Sequence, residues 1–129
     1  MKLLLIEDNP VNMKLLTLIC SKLQDLELIK AEDGEIGLEK AISEKPEIIL
    51  TDIQMPKMTG IQILEEIRKI PEISDTIIIA VTAHALAGEK ERLLSLGFDE
   101  YISKPLDTKK VRELIQEYQQ NINLKNKLH

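Results

Sequence analysis

The segments Lys2–Ile6, Ile48–Asp52 and Thr76–Thr82 are nearly continuous apolar runs in which polar and apolar positions do not alternate. A strand covered on one face alternates, whereas a strand covered on both faces does not. These three runs therefore predict the interior of a parallel sheet with helices on each side. Leu28–Ala31 and Tyr101–Ser103 are two further short strand-like runs. Helical spacing fills the stretches between them. Asn9-Pro10 offers an N-cap followed by proline at the first helical position, opening a helix that reaches about Leu23. Leu38, Ala41 and Ile42 mark a second helix, and Ile63, Leu64, Ile67 and Ile70 a third that stops before Pro71. Val111, Leu114, Ile115 and Tyr118 recur at helical spacing behind an Asp107 N-cap. The helix between Leu86 and Leu96 has only Leu93 and Leu94 as firm anchors and is expected to be the least rigid. Strand and helix alternating five times predict an α/β, (βα)5 doubly wound parallel sheet of five strands in the order 2-1-3-4-5.

At 129 residues the chain is the size of one domain. The periodic pattern occupies residues 1–120; residues 121–129 are polar and are expected to form a frayed helix end or a tail. A formal charge of −5 and 2% aromatic residues argue against direct DNA binding, which needs a basic face and stacking rings. The longest apolar run, Ile77–Val81, is far shorter than the ~20 residues of a membrane span, and Leu3–Ile6 is too short for a secretory signal. The single cysteine, Cys20, excludes an intrachain disulfide and reads as core packing in a reducing compartment. The expectation is a soluble cytoplasmic domain, and Met1 directly before the first strand favours a complete gene product.

In a sheet of this kind, sites form beyond the carboxyl ends of the strands. Those ends carry Glu7 and Asp8 after the first strand, Asp52 at the third, Thr82 at the fourth, and Lys104-Pro105 after the fifth. The first and third strands are neighbours in the proposed order, so three carboxylates converge. Their mutual repulsion would amount to several kcal/mol per close pair at an effective dielectric of ~20. Lys104 supplies one positive charge, and a hard divalent cation would supply the other two. Oxygen donors with room for water suit Mg²⁺, and no Cys/His cluster exists for zinc. A carboxylate beside Mg²⁺, a lysine and a hydroxyl is also the equipment for phosphoryl transfer.

Leu4-Leu5-Ile6-Glu7-Asp8-Asn9, Ile49-Leu50-Thr51-Asp52-Ile53-Gln54-Met55-Pro56, Ala80-Val81-Thr82-Ala83 and Tyr101-Ile102-Ser103-Lys104-Pro105 resemble the receiver domain of bacterial response regulators, whose sheet is flavodoxin-like. The resemblance spans about residues 2–120. It implies that Asp52 is the phosphoacceptor and that Glu7 and Asp8 hold Mg²⁺, with the backbone carbonyl of Gln54 completing the protein ligands. It further implies that Thr82 and Lys104 contact the phosphoryl group, that Tyr101 turns inward on activation, and that the Lys104–Pro105 bond is cis. The side chains of Gln54 and His84, two residues beyond Asp52 and Thr82, are expected on the rim of the site with Pro105.

The implied function is Mg²⁺-dependent acceptance of a phosphoryl group from a histidine kinase or a histidine phosphotransfer protein. Switching of a protein-interaction surface towards a downstream protein target follows. Alternatives are a receiver cut from a hybrid histidine kinase and a relay intermediate that passes phosphate to a phosphotransfer protein. Such a domain catalyses only its own phosphorylation and dephosphorylation, and is expected to be a monomer or weak dimer. Val11, Leu15, Pro105 and Leu106 are the apolar candidates for partner docking. A haloacid dehalogenase-type phosphatase would carry a second acid two residues after its nucleophile, where this chain has Gln54. A flavodoxin-like cofactor binder would place a Ser/Thr/Gly-rich phosphate loop where Glu7 and Asp8 stand. A receiver that works without phosphorylation would lack a key residue, and none is missing.

Overall fold

Strands form where the apolar runs lie: β1 (Lys2–Ile6), β2 (Glu27–Ala31), β3 (Ile48–Asp52), β4 (Ile77–Thr82) and β5 (Glu100–Ser103). The computed structural model describes residues 1–83 and 86–128. Every pairing is parallel and the order is β2-β1-β3-β4-β5, as the unalternating runs predict. Between the strands lie α1 (Pro10–Ser21), α2 (Gly34–Glu44), α3 (Gly60–Arg68) and α4 (Glu89–Leu96), with α5 (Thr108–Leu128) after the last.

Successive strand residues feed opposite faces. Leu3, Leu5, Ile48, Leu50, Ile79 and Val81 pack with Leu16, Ile19 and Cys20 of α1 and Val111 and Ile115 of α5. Leu4, Ile6, Ile49, Ile78 and Ala80 pack with Ala41 of α2, Ile63, Leu64 and Ile67 of α3, and Leu93 of α4. Every residue of β3 is buried, whereas most of the edge strand β2 is not. Each large aliphatic side chain buried in these layers contributes about 1.5–3 kcal/mol, so the centre of the sheet is the most stable part of the domain.

Helix starts follow the caps in the sequence. Asn9 accepts from the N–H groups of Val11 and Asn12 at 2.9 and 3.1 Å. Asp33 accepts from Ile36 at 2.8 Å, and Asp107 from Lys109 and Lys110 at 3.1 Å each. Thr59 and Gln62 form a reciprocal capping box. Helix α4 differs: it starts at Glu89 rather than Leu86, behind Gly88, with no side-chain cap. Leu94 is exposed, which leaves Leu93 as its one buried residue.

The polar segment from Asn121 does not leave the domain as a tail. It continues α5 to Leu128, because Ile122 still packs on the α1/α5 layer and Lys125 and Lys127 in the last turn suit the negative end of the helix dipole. Helix α1 stops at Ser21, slightly short of Leu23. Among the described residues no helix is long and apolar enough to cross a membrane.

Candidate functional site

The register of β1 on β3 pairs Ile6 with Thr51, so the residues that follow each, Glu7 and Asp52, leave the sheet side by side. Glu7 is 2% exposed and Asp52 6%, while Asp8 is exposed. Carboxylate oxygens of these three residues all lie within 4.8 Å of one another. Lys104, at the end of β5, closes the group: its Nζ is 2.8 Å from Asp52 Oδ2 and 3.3 Å from Glu7 Oε1. The Lys104 N–H donates to the Thr82 carbonyl at 2.8 Å, which ties the lysine's backbone to the end of β4. The next peptide bond, Lys104–Pro105, is cis.

Backbone donors orient the acids. Asn9 N–H reaches Glu7 Oε2 at 3.1 Å, and Gln54 N–H reaches Asp52 Oδ1 at 3.1 Å. Burial pushes the Glu7 carboxyl up to about 7; the Asn9 hydrogen bond opposes that shift, Asp52 adds to it, and Lys104 pulls back. Burial works against the charged form of Lys104, but Asp52 and Glu7 outweigh it and its pKa is raised. Glu7 Oε1 is buried and accepts no hydrogen bond; its contact with Lys104 is an ion contact only. Ionised together at this spacing, 4.8 Å or less, the three carboxylates would repel by about 3 kcal/mol or more per pair at an effective dielectric of 20, in keeping with the upward shift at Glu7. One lysine leaves that charge unbalanced. An all-oxygen donor set with an unsatisfied buried oxygen fits a hard divalent cation.

The other described residues expected at the site lie on or just beyond β3, β4 and β5. Thr82 is buried, 3% exposed, at the end of β4. Gln54 and Pro105 are exposed on the rim; His84 lies outside the described residues. Tyr101 is half-buried and packs against the α2–α4 layer. Of the four docking candidates, Val11 at 74% exposure and Pro105 are open. Leu15 and Leu106 are half-buried against the α1/α5 layer, so much of their apolar surface belongs to the core.

Two glycines were not singled out by their sequence context. A β-carbon at Gly60 would lie 2.4 Å from the Asp52 carbonyl oxygen, and one at Gly34 would lie 2.1 Å from that of Met58. Their signal was present: each follows a capping residue, Thr59 or Asp33, where most helices tolerate any side chain.

Fold and site together define a doubly wound domain with an acid–lysine centre at its topological switch point. The chain belongs to the response regulator receiver domain family, whose model matches residues 3–116. It is 40% identical over 119 residues to the signal transduction histidine-protein kinase BarA of Escherichia coli K12, covering 92% of this chain but 13% of that protein. Its match to the polar-differentiation response regulator DivK of Brucella anthropi is 34% over 115 residues, covering 89% of this chain and 93% of that one. Among solved structures, the receiver domain of a Pseudomonas aeruginosa sensor histidine kinase, which holds a magnesium ion in its active-site cleft, superposes with a TM-score of 0.80 at 30% identity. That match covers 90% of this chain and 94% of the other.

Proposed function

We propose that Asp52 accepts a phosphoryl group from a phosphohistidine on a histidine kinase or a histidine phosphotransfer protein. The supporting observation is the cluster itself: three carboxylates within 4.8 Å, one of them with an unsatisfied buried oxygen, and a lysine on the acceptor at 2.8 Å. Glu7, Asp8, Asp52 and the backbone carbonyl of Gln54 are the groups that would hold Mg²⁺. Bound there, the ion would supply charge neutralisation for the transferred oxygens.

In the transfer an Asp52 carboxylate oxygen forms a bond to phosphorus as the P–N bond breaks, and the departing imidazole takes up a proton from solvent. The Lys104 ammonium neutralises charge on the phosphoryl oxygens, and the Thr82 hydroxyl donates a hydrogen bond to them. Gln54 N–H holds the second Asp52 oxygen in place. Loss of phosphate, in which water attacks phosphorus and releases the Asp52 carboxylate and inorganic phosphate, is the domain's own second activity, with the exposed Gln54 side chain on the rim that the water crosses. His84, the other expected rim residue, lies outside the described residues. Val11 and Pro105 form the exposed apolar part of the surface presented to the donor, with Leu15 and Leu106 behind them. Output passes through a switch at Thr82 and Tyr101 to a downstream protein or onward along a phosphorelay.

Incubation with Mg²⁺ and acetyl phosphate, read by intact mass, tests the reading. The expected gain is ~80 Da, one phosphoryl group, and Asp52→Asn is expected to abolish it. An equal gain in Asp52→Asn would place the acceptor elsewhere.

A further inference from the structure

The loop between β3 and α3 carries Gln54, whose N–H holds Asp52 Oδ1. Both of its ends are pinned. Gly60 N–H donates to the Ile53 carbonyl at 3.0 Å, and the bare Cα of Gly60 lies against the Asp52 carbonyl. Its middle is tight as well: Lys57 adopts φ +70°, and Met58 N–H donates to the Pro56 carbonyl at 2.8 Å. A loop this constrained moves as a piece, so whatever supports its middle also sets Gln54.

That support is Gly34, the first residue of α2. A β-carbon there would sit 2.1 Å from the Met58 carbonyl oxygen and 2.8 Å from Met58 Cβ. Ordinary contact begins at 3.4 Å, so the carbonyl would have to retreat by about 1.3 Å. The neighbouring Asp33, which caps α2, also pairs with Lys57 at 3.5 Å. The pair is exposed on the lysine side and adds little on its own. The close approach at Gly34 is made to backbone and cannot be relieved by a rotamer change.

We infer that Gly34 is a positioning residue for the acid cluster, a seat on α2 that fixes the β3–α3 loop and through it the Gln54 amide and carbonyl at Asp52. It touches neither the acceptor nor the transferred group. This inference rests on the proposed role of Asp52 only for its kinetic consequence; the geometric consequence concerns the protein alone.

Gly34→Ala is the direct test, with Gly37→Ala as its comparison. A β-carbon at Gly37, one turn further along α2, would find its three nearest neighbours in the Ile6 side chain, at 2.6, 2.8 and 2.9 Å. Both variants are expected to lower the melting temperature. Only Gly34→Ala is expected to move the Gln54 amide proton resonance in the metal-free protein and to slow acetyl phosphate labelling by at least about tenfold, since misplacement near 1 Å is worth up to ~100-fold. If Gly34→Ala does not fold, Met58→Gly decides. It leaves α2 and the Met58 carbonyl in place but removes the Met58 side chain that packs on the core and loosens the loop backbone, so the loop can lift from its seat. It should move the same resonance and slow labelling severalfold.

An unmoved Gln54 resonance with parental labelling, in Gly34→Ala or in Met58→Gly where that variant decides, overturns the inference. So does an equal labelling loss in Gly37→Ala, which would assign the effect to general loosening. If the parent itself gains no phosphoryl group, the functional reading fails while the Gln54 resonance still tests the seat.

Discussion

The acid-bearing centre of the sheet and the edge formed by α4 and β5 are built on opposite terms. At the centre, β3 is wholly buried, its loop is pinned by glycine contacts on both sides, and α3 begins with a full capping box. At the edge, α4 buries one residue, Leu93, and begins at a glycine with φ +88° and no side-chain cap. The edge is nevertheless anchored at its far end. Arg68 donates to the carbonyls of Ser74, Thr76 and Gly97 and to Asp99 Oδ2, and that carboxylate oxygen also accepts from Ile78 N–H at 2.8 Å. Helix α4 is thus held where it runs into β5 and weakly held where it follows Thr82. A rigid centre keeps reacting groups in register, and a helix fixed at one end converts a small change at the other into a tilt.

The largest expected effect measures the stability side of that contrast. Leu50→Ala should cost about 2–5 kcal/mol, because a wholly buried strand side chain leaves a cavity that cannot collapse. Amide exchange should report Leu50→Ala across the whole domain. Leu93→Ala should instead open Glu89–Leu96 locally and leave β3 amides close to parental protection. Equal loss of protection in β3 and α4 on Leu93→Ala would mean that the two regions form one cooperative unit, and the contrast would be broken.

Next in size is the charge balance at the centre. Asp8→Ala removes an exposed carboxylate from the cluster, so Mg²⁺ affinity measured by calorimetry should fall by about tenfold or more, which is ~1.4 kcal/mol. The metal-free protein should become more stable, by no more than about 1 kcal/mol because Asp8 is open to solvent. Binding of Mg²⁺ at parental affinity would mean that the acidic pair is not the metal site. On the outer rim, Val11→Asp should slow transfer from a protein donor severalfold while acetyl phosphate labelling stays intact, since the side chain is 74% exposed. Equal loss with both donors would point to damage at the centre.

Much of this was legible because strand burial writes itself into composition. The unalternating runs named the central strands, and the order of the sheet then brought Glu7, Asp8, Asp52 and Lys104 together without any reference to side-chain geometry. What stayed hidden depends on distances that no pattern encodes. Glu7 and Asp8 are adjacent acids of similar type, yet one is buried with an unsatisfied oxygen and the other is exposed, because the chain turns between them into α1. Gly34 and Gly60 look like ordinary first-turn residues until the carbonyls of Met58 and Asp52 are seen against them. Arg68 reads as a helix-end charge and acts as a four-way tie across segments up to 31 residues apart. Residues 121–129 read as either a frayed helix end or a tail, and pattern alone does not decide between them, because a polar sequence remains helical when one residue per turn, here Ile122, still finds the core. Cys20 fell as expected: burial pushes its thiol up to about 11, so it is a packing group.

The smallest expected effect sits where the two regions meet. Thr82 is buried at the end of β4, its carbonyl is bonded to the Lys104 amide, and it precedes the weakly held start of α4. Phosphorylation adds about two negative charges and three acceptor oxygens at Asp52. The Thr82 hydroxyl is expected to turn towards them, and half-buried Tyr101 to follow into the space released. With α4 anchored at its Arg68 end, the resulting tilt should be confined to its first turns and to the adjoining faces of β5 and α5. A beryllofluoride adduct of the parent should therefore shift amide resonances around Asp52 and also along Glu89–Arg92 and Tyr101–Leu114, with smaller shifts beyond Leu93. Thr82→Ala should form the adduct yet keep most of the distant shifts near their unmodified values. Shifts restricted to the surroundings of Asp52 in the parent would remove α4 and β5 from the response. Shifts of full size in Thr82→Ala would show that the signal leaves the centre by another route, with the β3–α3 loop on its Gly34 seat as the next element to examine.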